Sequence, residues 1–254
     1  MTAPTSTDTA PKAALLGVLG GMGPLAGATF ACRLAMLTPA ASDQHHIPVL
    51  LRNDPRIPDR SNARLRGGAD PLPAMREGMA FLAASGADCI VIPCNTAHLW
   101  FEALRRSVDV PVLHIVDAVI QDLRRRGIHN GKVGVMGTPA TLELALYQAA
   151  LARAGYEPLI PTADEIERCC VAAISAVKEN RLGDAFAPAA EGIRALHSRG
   201  AKAIVLGCTE LPLAVPHAQR GTFGAVLTDS IDALALAAID HLGRLAATIP
   251  TSTR

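Results

Sequence analysis

The 254-residue sequence predicts an α/β protein built as two pseudo-symmetric doubly wound lobes, each a parallel sheet wrapped by helices, with an active-site cleft between them. Three observations predict this. Short β-branched runs alternate with longer Ala/Leu-rich stretches of helical character. Half of the residues are hydrophobic but only 3% are aromatic, so the core is made of Ala, Val, Leu and Ile, the material of helices packed on buried parallel strands. Finally, the phrase Gly86-Ala-Asp-Cys-Ile-Val-Ile-Pro-Cys94-Asn-Thr returns 114 positions later as Gly200-Ala-Lys-Ala-Ile-Val-Leu-Gly-Cys208-Thr-Glu.

In chain order, a strand over 14–20 runs into Gly20-Gly21-Met22-Gly23, and Pro24 reads as the first residue of a helix over 24–37. A strand over 47–52 and a helix over 72–85 follow. The Gly-Ala phrase at 86–87 is a common way to leave a helix and enter a strand, here 88–93, which delivers Cys94 to a helix over 96–106. A strand over 111–115 and a helix over 117–126 close the first half. Gly134-Val-Met-Gly137 then repeats Gly17-Val-Leu-Gly20 inside a strand over 132–136, before a helix over 139–154. A strand over 157–160, helices over 164–180 and 184–199, strands over 202–207 and 224–227 and a helix over 230–247 complete the chain. Gly17 to Cys94 is 77 positions and Gly134 to Cys208 is 74, so both halves keep nearly one internal spacing. Ligands in such folds bind outside the carboxyl ends of the strands, where Met22, Gly23, Cys94, Thr138 and Cys208 all fall.

The formal charge of +1 offers no basic footprint for nucleic acid, and no apolar run is long enough to span a membrane. Residues 1–13 are rich in Thr, Ala and Pro without the apolar stretch of a signal peptide, and are read as a disordered tail of a cytoplasmic protein. The six cysteines are read as reduced thiols, with Cys32, Cys89, Cys169 and Cys170 as small buried hydrophobes.

The repeated cysteines carry the chemistry. Moving a proton at the α-carbon of an amino acid from one face to the other needs a base on one side and an acid on the other. A thiol can play either role, because its reference pKa of about 8.5 lies near neutrality and falls at a helix N-terminus. Cys94 precedes Asn95-Thr96-Ala-His98, and Cys208 precedes Thr209-Glu210, so both are expected at strand-to-helix turns with backbone N–H groups pointing outward. Those N–H groups, with Asn95, Thr96 and Thr209, are suited to an α-carboxylate. The competing reading is a pair of buried core cysteines. His98, four residues after Cys94, either tunes that thiol or caps a packed helix end; Glu210 either supports Cys208 or is a surface carboxylate in a first helical turn.

Other chemistries fit less well. Gly21-x-Gly23-x-x-Ala26 with Asp43 imitates a dinucleotide fingerprint, but Pro24 and a tight turn beside a substrate account for the glycines. Cys94, His98 and Cys208 would make a catalytic zinc set, without the ligand spacing of known motifs. Lys12, Lys132, Lys178 and Lys202 are the lysines, and none follows a strand in a glycine-rich cradle for pyridoxal phosphate. No cofactor and no metal is expected. Arg60 and Lys178, on spacing alone, are surface charges.

The runs Gly17-Val-Leu-Gly-Gly-Met-Gly-Pro24, Asn53-Asp-Pro-Arg-Ile-Pro-Asp-Arg60, Pro93-Cys-Asn-Thr-Ala-His98 and Leu206-Gly-Cys-Thr-Glu-Leu211 together resemble the aspartate/glutamate racemase superfamily, and within it the aspartate racemase branch. The resemblance implies a cofactor-independent racemase, often a homodimer, with Cys94 and Cys208 as the two catalytic residues. It implies α-carboxylate and ammonium contacts from Asn95, Thr96, Thr138 and Thr209, and side-chain carboxylate contacts from Arg60 and Lys178, with Met22, Gly23, Asn53, His98 and Glu210 as auxiliary residues. It also implies that 228–254 returns to the first lobe, formed by 14–116, while 117–227 forms the second. Ser61 stands where the family usually has Thr, followed by the basic stretch Asn62-Ala-Arg64-Leu-Arg66. Relatives in the superfamily act on glutamate, hydantoins or several amino acids, isomerise maleate, or decarboxylate arylmalonates with one of the two cysteines. The expected function is racemisation of a dicarboxylic amino acid, aspartate first. The alternatives are a maleate-type isomerase working through a covalent cysteine adduct and a non-catalytic amino-acid-binding protein.

Overall fold

In the computed structural model, residues 14–248 are described; the expected tail over 1–13 and the end of the chain lie outside them. The chain begins with β1 (Leu16–Gly20), α1 (Pro24–Leu37), β2 (Val49–Asn53), α2 (Arg60–Leu65), α3 (Leu72–Ala84), β3 (Cys89–Val91), a 3₁₀ turn over Thr96–Trp100 and α4 (Phe101–Arg105). Helix α5 (Ile115–Arg125) leads into β4 (Gly131–Met136), α6 (Pro139–Glu143), α7 (Gln148–Arg153), β5 (Tyr156–Leu159) and one continuous helix. That helix comprises α8 (Ala163–Glu165), a π-helical turn over Ile166–Val171, and α9 (Ala172–Lys178). Then follow α10 (Leu182–Ser198), β6 (Ala203–Leu206), α11 (Leu211–Ala214), α12 (His217–Arg220), β7 (Val226–Asp229) and α13 (Ser230–Thr248).

The strands form two all-parallel sheets, ordered β2-β1-β3 and β5-β4-β6-β7. The duplication read in the sequence appears in the pairing register: Gly17 lies opposite Ile90, and Gly134 lies opposite Ile204. Both glycines make room for the same neighbours. A Cβ on Gly17 would come within 3.2 Å of Ile90 and 3.3 Å of Leu82, and one on Gly134 within 3.1 Å of both Ile204 and Leu196. Leu82 and Leu196 each stand four residues before the glycine that leads into the cysteine strand, so strand, helix and glycine pack as one repeated unit.

Three apolar clusters fill the molecule. The central one joins β1 and β3 of one sheet to β4 and β6 of the other through α1, α5 and α13, by way of Val18, Phe30, Val119, Val135, Val205 and Leu234. A second lies between the β4–β6 sheet and α9–α10, and a third between the β1–β3 sheet and α3–α4. The chain thus crosses at α13, which packs on α1 and α5 and is pinned to α1 by a two-pronged ion pair, Arg33 to Asp232, at 2.6 and 2.9 Å.

Several expectations are corrected. The stretch 111–115 is not a strand: it meets β3 at a single bridge, Ile90 to Val112, because Pro111 offers no N–H and the His114 ring accepts from the Val116 N–H at 3.1 Å to cap α5. The expected helix over 139–154 breaks between α6 and α7, where Ala145 takes φ 54° and Tyr147 turns inward. The helix over 96–106 opens as a 3₁₀ turn, and α2, α11 and α12 were not expected. Cys89, Cys169 and Cys170 are buried as expected, but Cys32 is exposed on the outer face of α1.

Candidate active site

Both cysteines of the repeat stand just beyond the carboxyl ends of strands, Cys94 after β3 at the edge of its sheet and Cys208 after β6 in the interior of its own, each 5% exposed. Each sulfur has a backbone N–H of its own turn directed at it, from Ala97 and from Glu210 respectively. The two turns lie near one another, since Lys178 and Glu210 act electrostatically on both sulfurs.

Their surroundings differ. Burial pushes the Cys94 thiol above the ordinary range, and the Arg60 guanidinium pulls it back down. Burial pushes Cys208 well above it, and the Glu210 carboxylate adds to that rise while accepting the thiol proton at 2.9 Å. One thiol therefore faces a cation and the other a carboxylate, a difference that favours the anion at Cys94 and the protonated form at Cys208. Glu210 is 4% exposed, not a surface carboxylate, and Thr209 donates to it at 3.4 Å. Gly23 lies against it, where a Cβ would come within 3.1 Å of Glu210 Oε1.

Arg60 is not the ordinary surface charge that spacing alone suggests, whereas Lys178 is exposed, as spacing alone suggests. Arg60, the first residue of α2, is 8% exposed; one terminal nitrogen donates to the Ile57 and Pro58 carbonyls at 3.1 and 2.9 Å, and its Nε is buried without a partner. Among the described residues no carboxylate pairs with it. A buried cation so placed is costly unless an anion joins it. Lys178, at the end of α9, reaches across to Asp59 at 3.9 Å. Asp59 caps α2 through the Asn62 N–H at 2.7 Å and was not singled out in the sequence, although it sits inside the Pro-Asp-Arg run. Gly21, Gly23, Ile57, Asp59, Arg60, Lys178 and Glu210 line a cleft of about 570 Å³, and a smaller cavity of about 270 Å³ adjoins it at Asp59 and Lys178.

The hydroxyls close the other side. Thr96 of the first lobe meets Thr138 and Thr141 of the second at 2.9 and 3.0 Å, and Thr138 caps α6 through the Thr141 N–H. Asn95 is buried next to Cys94, bonded to Tyr147 and Ser230. Asn53 instead donates to the Pro24 carbonyl at 3.0 Å, bracing the glycine turn after β1, and Met22 packs in the same apolar cluster as Cys94.

His98 neither shares an α-helical face with Cys94 nor tunes its sulfur directly. Nδ1 bonds to the Cys94 carbonyl at 2.9 Å, while Nε2 accepts the Ile115 N–H at 3.2 Å, so the proton is on Nδ1. Burial, with His114 beside it, pushes its pKa down to about 3. Both ring nitrogens are occupied, which leaves none for a zinc ion. Asp43 precedes β2, at the opposite end from a ribose-binding acid. Of the basic stretch, Arg64 lies over Trp100 at 4.1 Å and donates to the Leu99 carbonyl, a packing role.

The sequence pattern of the family described as Asp/Glu/Hydantoin racemase matches residues 19–238, and the chain belongs to that family. As a member of this racemase family the chain is an amino-acid racemase, an isomerase. An aspartate racemase from Picrophilus torridus has the same fold with a TM-score of 0.79, at 32% identity over 91% of this chain and 94% of that one. The broad-specificity amino-acid racemase RacX of Bacillus subtilis is 26% identical over 81% of this chain and 89% of that protein. A glutamate racemase from Aquifex pyrophilus is 29% identical over 63% of this chain and 61% of that protein. No described helix is long and apolar enough to cross a membrane.

Proposed function

We propose that the protein is a cofactor-independent racemase of a dicarboxylic amino acid, aspartate first, with Cys94 and Cys208 alternating as base and acid. The observation that carries the specificity is Arg60: a buried guanidinium without an acidic partner, beside the thiols and Lys178, is suited to a second carboxylate on the substrate. The substrate's distal carboxylate would take the place of Asp59 at Lys178. Its α-carboxylate would meet the polar groups of Asn95, Thr96, Thr138 and Thr209.

With Cys94 as thiolate, its sulfur takes the α-proton, the negative charge spreads into the α-carboxylate held by those donors, and Cys208 returns its own proton on the other face. The thiols end with their protonation states exchanged, ready for the opposite enantiomer. Burial of both sulfurs excludes water that would otherwise scramble the proton. The resemblance to a Picrophilus torridus aspartate racemase favours aspartate, and the lobes over 14–116 with the C-terminal helix and over 117–227, acting as a cytoplasmic homodimer, belong to the same proposal.

The test is incubation with L-aspartate in deuterated water without added cofactor, and then with glutamate and a panel of other amino acids. Deuterated D-aspartate is expected. Turnover of glutamate alone would reassign the substrate, and exchange with no amino acid would remove the racemase reading.

A further inference from the structure

The carboxamide of Asn95 stands at the centre of a buried relay. Its Oδ1 accepts the Tyr147 hydroxyl, its Nδ2 donates to Ser230 Oγ at 3.0 Å, and Ser230 Oγ donates to the Leu206 carbonyl at 2.8 Å. Asn95 is 1% exposed, and Tyr147 and Ser230 are fully buried. The polarity of every link is forced. Ser230 has one hydroxyl proton and commits it to Leu206, so it can only accept from Asn95. That requires the nitrogen of the amide on the Ser230 side and the oxygen on the Tyr147 side, where burial keeps the phenol protonated and donating.

The ends of the relay are the two turns that bear the thiols. Asn95 directly follows Cys94, and Leu206 ends β6 two residues before Cys208. Tyr147 comes from the break between α6 and α7, and Ser230 is the first residue of α13. A Cβ on Gly207 would come within 3.2 Å of the Tyr147 ring, so the same side chain packs on the second turn as it bonds to the first.

We propose that Tyr147 and Ser230 are positioning residues that tie the Cys94 turn to the Cys208 turn through Asn95, and so set the separation and aim of the two thiols. The inference rests on the racemase reading for its catalytic consequence. Two-sided proton transfer is sensitive to such a tie, because a misplacement of about 1 Å can cost on the order of a hundredfold in rate.

The test compares the full-length protein with Tyr147→Phe, which deletes only the hydroxyl, and with Ser230→Ala. In each, kcat with both enantiomers is expected to fall about tenfold or more while KM stays within roughly threefold. The rates at which iodoacetamide labels Cys94 and Cys208, read by peptide mass spectrometry, are expected to change at both sites in either variant. The double variant should be no worse than the worse single one, since both act through one amide. A folded Tyr147→Phe protein with kcat within twofold of the parent and unchanged labelling would overturn the proposal, as would losses that simply multiply. If Tyr147→Phe does not fold, Ser230→Ala decides by the same thresholds. Should the parent exchange no α-proton, the racemase reading falls, while the labelling rates still decide whether the turns are tied.

Discussion

At the scale of single residues, the two thiols are set apart by Arg60, which lowers Cys94, and by Glu210, whose charge reaches both sulfurs but which accepts the proton of Cys208 alone. Arg60 meets two carbonyls but, among the described residues, no carboxylate, so its loss should separate function from stability. Arg60→Met is expected to lower kcat/KM for aspartate by roughly 10- to 100-fold, the worth of a charge-assisted contact of about 1.5–3 kcal/mol, without lowering the melting temperature. Steady-state kinetics and thermal melts of the same preparation check both halves. Since both thiols are raised by burial, activity should climb from neutral into alkaline pH. In the direction that uses Cys94 as base, the acidic limb reports Cys94 and the basic limb Cys208. Arg60→Met should move the acidic limb up, because Arg60 lowers Cys94; Glu210→Gln should move the basic limb down, because Glu210 raises Cys208. A pH–rate profile in which both limbs stay in place would contradict these assignments.

At the scale of elements, His98 explains how the turn after β3 is held. It bonds backward to Cys94 and is met by the first N–H of α5, so one neutral ring joins a strand end to a helix start. Its folded pKa of about 3 lies below the unfolded value near 6.5, so the unfolded chain binds the extra proton between them. Stability is therefore full above about pH 6.5 and falls as the pH drops toward 3, by at most about 1.4 kcal/mol per unit from this residue. Replacing it as His98→Asn should lower stability at neutral pH and flatten this acid dependence, measured by urea unfolding across pH 4–8. The glycine turn after β1 is another fixed element. Gly21 takes φ 91°, and a Cβ there would come within 2.1 Å of the Asp54 carbonyl oxygen, so this close approach admits no side chain.

At the scale of the whole molecule, each lobe has an apolar cluster of its own, but the central cluster is common to both. The central cluster takes Leu16, Val18 and Phe30 from one side and Val133, Val135 and Tyr147 from the other, with α5 and α13 between them. Heat should therefore unfold the protein in one transition, with calorimetric and van't Hoff enthalpies in agreement. Two resolved transitions would show that the lobes melt independently. Shared burial also gives the cleft a firm floor, crossed by Thr96 to Thr138 and Thr141 and by the Tyr147–Asn95–Ser230 relay.

The sequence alone determined the alternating parallel architecture and the repeated unit that ends in each cysteine, because hydrophobic period and glycine placement act locally and were duplicated in register. It also placed α1 from Pro24 to Leu37, where Pro at the start and apolar spacing agree. It did not reveal the break that turns Tyr147 inward: a buried phenol finds its partner 52 residues away, and an Ala/Leu-rich stretch reads as unbroken helix. Nor did it disclose that His98 is a brace, that Asp59 occupies Lys178, or that Arg60 is buried without an acid. Those facts depend on burial and on partners distant in the chain, which only the packing of two lobes around a shared core decides. The symmetry of the thiols was written locally; the cation beside one and the carboxylate beside the other acquire their meaning only when folding removes them together from water.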